Sequence, residues 1–395
     1  MIQRTVIITD GEQRAALAVV RSLGAAGYRC VVASSRRSSI AGDSRFVSSR
    51  ATVPDALTNP HDFAEALIYL AADQEASLVL PISEASMLAV LPERERFKPC
   101  IIPFPDLDAF LAINDKQRVL SEAAALGIAT PEQTVVENHD AIGSLDLRAV
   151  HYPIVIKPCR SIGEHGGKRA KLVVTHASNK RELERKLTAL PAAAFPVLLQ
   201  QRIVGPGTGV FLLLWNGQQR AQFAHRRITE KPAWGGVSVY RESIVIDEEL
   251  RDRSRALLER FGWHGVAMVE FKRDMETGQP YLMEVNGRFW GSLQLAIDSG
   301  VDFPRLLAAV SLGQRTAPVV SYRLGVRSRW WWGQVDHIIG RVRRSAAIPP
   351  GTRSTARAFG DLVLGPFRRE NYEEVLWWSD PRPFVRETIQ WIGAL

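Results

Sequence analysis

Hydrophobic and polar positions in the first part of the chain follow the order strand, helix, strand. Residues 13–26 place leucine and valine at helical spacing, and Gly27 ends this predicted helix. Four short apolar runs predict buried strands at residues 5–9, 30–33, 77–81 and 101–103. This order predicts a small doubly wound α/β domain over residues 1–112.

The hydrophobic pattern changes after residue 112 and divides the rest of the chain into three regions. Residues 113–199 begin with a predicted helix, 116–126, and continue with strand patterns. Residues 200–312 are richer in antiparallel strand patterns separated by glycine-rich turns. Residues 313–395 form an Arg- and Trp-rich tail that holds six of the ten tryptophans.

The composition is that of an ordinary soluble enzyme, with 46% hydrophobic and 23% charged residues. No apolar run approaches the roughly 20 residues of a membrane span, and the apolar start of the chain is too short for a signal peptide. The cysteines Cys30, Cys100 and Cys159 are scattered and lack CxxC spacing. We therefore predict a cytoplasmic location without disulfides or a cysteine zinc site.

The net charge of +8 is concentrated in residues 321–360, which contain eight Arg and one Asp. This concentration argues against nucleic-acid binding by the whole protein. One predicted helix face in this segment carries apolar side chains beside arginines: Trp331, Val335, Ile338, Ile339 and Val342 beside Arg341, Arg343 and Arg344. We expect the face to dock on residues 200–312, with peripheral contact to an anionic membrane as the alternative. A homodimer is left open.

Two strand patterns flank the polar turn at residues 274–278. Pairing them as a hairpin places Glu270 directly opposite Glu284, and strand alternation puts Asn286 on the same side as Glu284. Carboxylates about 5 Å apart repel each other unless a cation lies between them. Carboxylate and amide oxygens suit Mg²⁺ or Mn²⁺. The alternative is a pair of exposed glutamates at a hairpin edge.

Basic side chains and a glycine-rich loop are candidates for binding phosphate. Lys157 ends an apolar strand, and a glycine-rich hairpin at residues 161–167 follows, which could close over a triphosphate. Lys116 begins a helix, and Arg288 follows Asn286 on the same strand face, where it could bind phosphate or an oxyanion. Ordinary turns and surface residues are the alternatives. Neither a Walker loop nor a dinucleotide-binding GxGxxG motif is present.

Three further residues are candidates for substrate contacts. Arg226 or Arg227 could clamp a carboxylate from a loop over the cleft, although a solvated strand end explains them equally well. Glu84 follows a strand of the first domain and could contact an amine substrate. We favour a helix-start role for Ser83 and Glu84.

These motifs occur in a fixed order within residues 1–312. They are Asn114-Asp115-Lys116, Ile156-Lys157-Pro158, the glycine loop, Gln200-Gln201-Arg202-Ile203, Val269-Glu270-Phe271 and Glu284-Val285-Asn286-Gly287-Arg288. In this order they resemble the ATP-grasp superfamily, and most closely the carbamoyl-phosphate-synthetase-like carboxylate–amine ligases. Two positions depart from the family pattern: Gln201 stands where Glu is common, and Gly287 stands where Pro or Ala is frequent.

The resemblance implies an α/β ATP-grasp fold, with the first domain followed by a lid subdomain (113–199), a catalytic antiparallel subdomain (200–312) and a C-terminal extension (313–395). It also implies roles for individual residues. ATP phosphates would contact Lys116 and Lys157, adenine would contact Gln200, Gln201 and Ile203, and the lid loop would contain Gly163 and Gly166. Glu270, Glu284 and Asn286 would hold one or two Mg²⁺, with Arg288 and Lys157 as catalytic residues.

The implied activity is ADP-forming ligation of two small molecules. A carboxylate would attack the γ-phosphate of ATP to give an acyl phosphate, and an amine would then displace the phosphate. Positioning and charge neutralisation supply most of the rate in such chemistry. Two alternatives stay open: a carboxylase of the biotin-carboxylase or carbamoyl-phosphate-synthetase type, and a non-catalytic module that senses ATP.

Overall fold

The computed structural model describes residues 4–146, 150–165, 168–232, 235–343 and 354–394. Strands within these ranges form three larger sheets and one two-stranded hairpin. Most of the buried apolar side chains join in one main core, which links the first domain to the largest sheet. A second, smaller core lies between them in the sequence.

The N-terminal sheet consists of four parallel strands in the order β3–β2–β1–β4. They are β1 (Thr5–Ile8), β2 (Arg29–Ser34), β3 (Ser49–Thr52) and β4 (Leu78–Leu80). The helices of this region are α1 (Arg14–Ala25), α2 (Pro60–Asp73), α3 (Glu84–Val90) and α4 (Leu107–Asn114). Strands β1 and β4 are completely buried, which explains why they read as continuous apolar runs. The predicted α/β character of this region is confirmed.

Two segments of this region differ from the prediction. Strand β3 was not predicted, because its residues are mostly polar and alternate between half-buried and exposed at the edge of the sheet. Residues 101–103 were predicted as a strand, but only Ile101 forms an isolated bridge, to Leu78. Prolines at positions 99 and 103 flank this bridge, and proline cannot donate a ladder hydrogen bond.

The second sheet has the order β5–β10–β6–β9 and its own small core. Its region contains β5 (Gln133–Val136), β6 (Ile154–Pro158), β7 (Ile162–His165), β8 (Lys168–Lys171), β9 (Thr175–Ala177), β10 (Val197–Gln201) and α6 (Lys180–Thr188). Strands β7 and β8 form the separate hairpin. Helix α5 (Lys116–Ala125) packs instead in the main core, against the edge strand Pro280–Asn286 of the largest sheet. The second core therefore begins later in the chain than the predicted boundary at residue 113.

The largest sheet has seven strands in the order β15–β14–β11–β12–β13–β16–β17. They are β11 (Gly207–Trp215), β12 (Gln218–Lys231), β13 (Val237–Ser243), β14 (Gly265–Arg273), β15 (Pro280–Asn286), β16 (Arg327–Arg329) and β17 (Asn371–Glu373). Helices α7 (Glu248–Arg260), α8 (Leu293–Ser299) and α9 (Phe303–Ser311) also belong to this region. The last two strands come from the tail, so the tail extends this sheet beyond residue 312.

The tail helices are α10 (Trp331–Arg343), α11 (Thr355–Leu364) and α12 (Arg382–Ile392). As expected, α10 packs on the largest sheet, against β12 and β13. The predicted apolar face is wrong, however. The buried side carries Gly333, Gln334, His337 and Arg341, whereas Val342 is 71% exposed. Arg344 lies outside the described residues.

Glycine and polar contacts explain why the other face of α10 is buried. A Cβ atom at Gly333 would lie 2.8 Å from Val239 of β13, so glycine allows a close approach to the sheet. Gln334 accepts a hydrogen bond from Arg329 Nε at 3.0 Å, and His337 Nδ1 lies 2.5 Å from the carbonyl oxygen of Glu230. The spacing of hydrophobic residues in the sequence cannot predict these contacts.

The tail is also tied to the first domain by a buried ion pair. Arg21 of α1 is 2% exposed, and its Nε donates to Asp380 at 2.9 Å. Its remaining nitrogens donate to the carbonyl oxygens of Glu374 and Val375 at 2.9 Å. The guanidinium therefore fixes the strand-to-helix segment of the tail on α1.

Across the described ranges, no helix has the length and apolar character needed to cross a membrane. Cys30, Cys100 and Cys159 are all free and buried. Burial raises the pKa of Cys30 and Cys100 to about 12. These thiols are therefore protonated and unreactive near neutral pH.

Candidate active site

The β14–β15 hairpin pairs Glu270 with Glu284, as the sequence predicts. The register shifts by one residue just beyond this pair, because Phe271 is paired with Leu282. Met283 is thus the extra residue of a β-bulge. Its carbonyl oxygen accepts a hydrogen bond from Lys157 Nζ at 2.8 Å. The bulge connects the acidic hairpin to the lysine at the end of β6.

Asn286 and Arg288 lie in a hydrogen-bonded row beside Glu284. The Asn286 amide donates to Glu284 Oε1 at 3.3 Å. Arg288 donates to Asn286 Oδ1 at 2.9 Å and to the carbonyl oxygen of Phe289 at 3.0 Å. The Asn286 amide oxygen therefore faces the guanidinium of Arg288, and this guanidinium is held next to Glu284.

The two predicted phosphate lysines converge on the same carboxylate. Lys157 Nζ lies 3.8 Å from Glu284 Oε2, and Lys116 Nζ lies 4.0 Å from it. Lys116 also donates to Ser161 Oγ at 3.1 Å. Both lysines are buried. The end of β6 and the start of α5 thus bring two distant lysines to the tip of β15.

These contacts shift the pKa values of the groups involved. Burial alone would raise the pKa of Glu284, but Lys157, Lys116, Asn286 and Arg288 outweigh it and hold that pKa below its ordinary value. Burial lowers the pKa of Lys157 although Glu284 opposes the shift. Glu284 is therefore held in its ionised form, in which a carboxylate can bind a cation.

Glu270 is held by an arginine of the neighbouring strand. Arg227 donates to Glu270 Oε2 at 2.6 Å and to Glu230 Oε1 at 3.0 Å. Burial raises the pKa of Glu270, Arg227 opposes that shift, and Glu284 adds to it. Arg227 therefore neutralises a predicted metal ligand, and its contact with a substrate carboxylate stays a prediction.

Arg226 is not brought to this site. Alternation along β12 turns its side chain to the other side of the sheet from Arg227. There it forms an ion pair with Glu242 at 2.6 Å, and Arg327 pairs with the same carboxylate at 2.9 Å. Arg226 is therefore held by Glu242 on the side of the sheet opposite Arg227, and the clamping of a substrate carboxylate by Arg226 stays a prediction.

The donor set fits a hard divalent cation together with phosphate. The described ranges contain no group of three or more His, Cys, Asp and Glu side chains that could hold a metal. Two carboxylates and the amide oxygen of Asn286 would leave coordination positions for phosphate or water oxygens. Lys116, Lys157 and Arg288 all act on Glu284. This concentration of positive charge suits a metal–triphosphate complex better than a bare metal ion.

The predicted adenine segment lies where β10 leaves the second sheet. Gln200 is buried and donates to Gln133 Oε1 at 3.1 Å. Gln201 is exposed, and its backbone N–H bonds to the carbonyl oxygen of Glu132 at 2.8 Å. Ile203 is buried. The segment joins the second sheet to the largest one and lies between the two cores.

Gly163 lies in β7, at a close contact with the segment before β10. A Cβ atom at this position would lie 2.6 Å from the carbonyl oxygen of Ala193, so only glycine fits there. This packing accounts for the glycine, and a role of Gly163 in the nucleotide lid stays a prediction. Gly166, the second glycine expected in the loop, lies outside the described residues.

Glu84 begins α3 and lies near the acidic pair. The Ser83 hydroxyl accepts a hydrogen bond from the Ser86 backbone at 3.1 Å, which is the helix cap that the sequence favoured. Burial raises the pKa of Glu84, with Arg288 and Lys116 opposing the shift. Glu84 therefore lies in the first turn of α3 and also faces the basic side chains Arg288 and Lys116.

Two cavities meet at Glu84. The first has a volume of about 540 Å³, lies at the carboxyl ends of β1 and β2, and reaches Arg288. The second has a volume of about 490 Å³ and lies between α3, α4 and the β7 strand. Glu84, Ile162 and Leu172 line both cavities and form the wall between them.

Sequence reasoning missed Asp10 and Ser161. Asp10 follows β1 with a φ of 55° and accepts hydrogen bonds from the backbones of Ile82 and Ser83 at 3.2 and 3.0 Å. It thereby fixes the loop before α3 at the first cavity. A polar residue directly after the first buried strand was the available signal for Asp10. Nothing in the local sequence singled out Ser161 as the partner of Lys116.

Comparison with known proteins agrees with this geometry. Residues 195–333 match a family described as "ATP-grasp in the biosynthetic pathway with Ter operon". The match includes the acidic hairpin and runs into α10, beyond the limit of the motifs seen in the sequence. The chain has an ATP-grasp fold. A search of curated proteins found no match.

Solved structures share this ATP-grasp fold at low sequence identity. An L-amino acid ligase from Bacillus licheniformis is 16% identical with a TM-score of 0.60, and the alignment covers 78% of this chain and 73% of that one. The N5-carboxyaminoimidazole synthetase from Staphylococcus aureus, complexed with ADP, is 17% identical with a TM-score of 0.63, covering 82% and 80%.

A third structure is the biotin carboxylase domain of the 2-oxoglutarate carboxylase from Hydrogenobacter thermophilus. It is 16% identical with a TM-score of 0.63, and the alignment covers 83% of this chain and 74% of that one. It was solved as a dimer with MgADP, ADP and bicarbonate. The three similar structures therefore include both ligases and a carboxylase.

Proposed function

We propose that this ATP-grasp protein is an ATP- and Mg²⁺-dependent, ADP-forming ligase. It would convert a carboxylate into an acyl phosphate and join it to an amine. The convergence of Lys116, Lys157 and Arg288 on Glu284, opposite Glu270, carries this proposal. Such a cluster serves an ion-bridged triphosphate and does not serve a surface hairpin.

Each side chain has a specific task in this mechanism. Glu270, Glu284 and the Asn286 oxygen would hold Mg²⁺, which supplies charge neutralisation to the phosphates. Lys157 and Lys116 bind phosphate oxygens and release Glu284 from their ion pairs as they do so. Arg288 is held by Asn286 and stabilises the negative charge of the acyl phosphate. The protein therefore positions charges and forms no covalent intermediate of its own.

Two further groups complete the nucleotide site in this proposal. The backbone of Gln200, Gln201 and Ile203 would bind adenine, because this segment joins the second sheet to the catalytic sheet. The second sheet with the β7–β8 hairpin, which contains Gly163, would act as the lid. Of the predicted subdomains 113–199 and 200–312, the second would include α5, because this helix packs in the main core.

The two cavities favour a ligase over a carboxylase. Bicarbonate has four heavy atoms and needs little space. Cavities of about 540 and 490 Å³ on either side of Glu84 can each hold an organic substrate. A module that only senses ATP would need neither the cavities nor Arg288 beside the metal ligands.

Small molecules are thus the proposed partners of the site. A homodimer stays open, as does the cytoplasmic location predicted from the cysteines. If the tail contacts an anionic surface, α11 would carry that contact in place of α10. Its side chains Phe359 and Val363 are 56% and 47% exposed.

The test is ADP release by the purified protein with MgATP and a panel of carboxylates. Substitution Glu284→Gln should abolish turnover while leaving the far-UV spectrum unchanged. Glu276→Gln, in the exposed turn of the same hairpin, is the matched control and should keep full activity. Undiminished ADP release by the Glu284 variant would refute the assignment.

A second measurement tests the acyl phosphate. Hydroxylamine replaces the amine and traps an activated carboxylate as a hydroxamate. We expect hydroxamate to form with each carboxylate that stimulates ADP release. Its absence with all of them would show that the carboxylate is not phosphorylated.

A further inference from the structure

The second cavity lies apart from the nucleotide segment. Its walls come from α3, the following turn and α4 on one side, and from β7 and residues 192–196 on the other. None of Gln200, Gln201 and Ile203 lines it. It also lacks Lys157 and the acidic pair. The cavity therefore lies apart from the proposed adenine and metal sites, and it reaches Glu84 and Gly163 of the proposed lid.

Apolar side chains form most of this cavity. Leu88, Leu107 and Phe110 line the side of the first domain. Ala193 and Phe195 line the opposite side. Of the charged residues of the wall, Glu164 and Arg169 form an ion pair at 2.9 Å, and Arg160 lies 3.7 Å from Asp115. The interior thus suits an apolar group about the size of an aromatic or branched side chain.

Glu84 is the charged group at the neck between the two cavities. Its carboxylate would repel a substrate carboxylate, but it can accept hydrogen bonds from an ammonium group. Charged residues of both signs line the first cavity: Arg36, Lys171 and Arg288 together with Asp10, Glu12 and Asp55. The two cavities therefore differ in their lining: Arg288, beside the metal ligands, lines only the first, and apolar side chains form most of the second.

We propose that the second cavity binds the amine substrate, which carries an apolar substituent and places its nitrogen at Glu84. The carboxylate substrate would occupy the first cavity, beside Arg288. This inference rests on the proposed ligase function and assigns its two substrates.

The chemical step at Glu84 is a balanced acyl transfer. The ammonium loses one proton to solvent before it reacts as the free amine. Its nitrogen forms a bond to the acyl carbon while the carbon–oxygen bond to phosphate breaks and phosphate leaves. Glu84 accepts the second proton, so that a neutral amide results. No oxidant or further reactant is needed.

Binding of simple amines tests the cavity without turnover. Isothermal titration calorimetry would compare phenethylamine with ethylamine, with and without MgADP. We expect phenethylamine to bind at least tenfold more tightly, because its ring fills the apolar cavity. Equal binding of both amines, or no binding of either, would overturn the inference.

Filling the cavity from each wall makes the test specific. Leu88→Trp and Ala193→Phe should each weaken phenethylamine binding at least tenfold and leave MgADP binding unchanged. Ser35→Trp, which fills the first cavity, is the control and should keep phenethylamine affinity. Normal phenethylamine binding by both cavity-filling variants would contradict the proposal.

The MgADP titration distinguishes a failure of the proposed function from a failure of the substrate assignment. If the wild-type protein binds no MgADP, the proposed function fails whatever the amine results. If it binds MgADP but shows no preference for the apolar amine, only the substrate assignment fails. Folding of each variant is checked by its thermal midpoint.

Discussion

Arg227 donates to Glu270 Oε2 at 2.6 Å, so that one of the two facing carboxylates already has a buried cationic partner. The same guanidinium holds Glu230 at 3.0 Å. Glu284 is held differently, by lysines that phosphate can attract away. Arg227 therefore keeps Glu270 in place, and in the proposed mechanism Glu284 is the carboxylate that is freed when a nucleotide binds.

Removal of Arg227 should destabilise the protein. We expect Arg227→Gln to lower the free energy of unfolding by about 3–5 kcal/mol, because two buried carboxylates lose their partner. Urea denaturation measures this change. The adjacent Arg226, on the other side of the sheet and 56% exposed in its side chain, gives the control Arg226→Gln. That variant should lose at most about 1 kcal/mol.

Magnesium should partly restore the Arg227→Gln variant. A cation at Glu270 replaces the missing positive charge, so saturating MgADP should stabilise this variant more than the wild type. Equal stabilisation of both proteins would show that Mg²⁺ does not reach Glu270. Calcium-free buffers with and without Mg²⁺ provide the comparison.

Lys157 should contribute strongly to nucleotide affinity. Its ammonium bonds to the Met283 carbonyl and lies near Glu284 in a buried position, so it can meet a phosphate without extensive rearrangement. We expect Lys157→Met to weaken ATP binding by about 10–100-fold, the value of one hydrogen bond to a charged group. Exposed Lys180→Met is the control. A filter-binding assay with labelled ATP that shows equal affinities would contradict this role.

The sequence predicts the acidic hairpin well and its surroundings less completely. Alternating side chains on either side of a polar turn suffice to pair Glu270 with Glu284. The bulge at Met283 is invisible in this pattern, because a single extra residue changes no hydrophobic period. The bulge brings the Met283 carbonyl into contact with Lys157. Only the resemblance to the ATP-grasp superfamily placed this lysine near ATP.

The adjacent Arg226 and Arg227, together with helix α10 of the tail, show a second limit of prediction from the sequence. Arg226 and Arg227 are indistinguishable until the register of β12 is known, since one residue decides the face. For α10, the spacing of apolar residues predicts the wrong buried face. The face that is buried carries Gly333, Gln334 and His337, which pack by close approach and by hydrogen bonds. Contacts between distant segments decide these positions, and local patterns do not contain them.

The tail should influence the metal site through β12. His337 contacts the Glu230 carbonyl at 2.5 Å, and Asp336 forms an ion pair with Lys231. Glu230 in turn binds Arg227. We expect the double variant Asp336→Asn, His337→Ala to weaken MgADP binding several-fold, because the end of β12 is released.

The control for the tail prediction is Thr388→Val. It removes the hydrogen bond from Trp332 to Thr388 at 3.0 Å, elsewhere on the tail, and should leave MgADP affinity unchanged. Calorimetry measures affinity for both proteins. If both variants weaken MgADP binding equally, the tail acts through general stability and not through Glu230.

Asp298 should make stability depend on pH. Burial raises its pKa to about 7, although a hydrogen bond from Gln294 at 2.8 Å and the charges of Arg323, Arg21 and Arg241 oppose the shift. The folded protein therefore keeps a proton on Asp298 between about pH 4 and 7, where an unfolded chain has lost it. Stability from this group is complete below about pH 4 and is lost as the pH rises to 7.

Substitution Asp298→Asn removes this dependence, because the amide does not titrate. Near pH 4 the variant and the wild type should be about equally stable, since both side chains are then neutral. At pH 8 the variant should be more stable by about 1–4 kcal/mol, given about 1.4 kcal/mol for each unit of pKa shift. Exposed Asp252→Asn is the control and should show no such gain. Chemical denaturation from pH 4 to 8 measures the difference, and a gain that is constant with pH would show that the Asp298 carboxyl is ionised throughout this range in the folded protein.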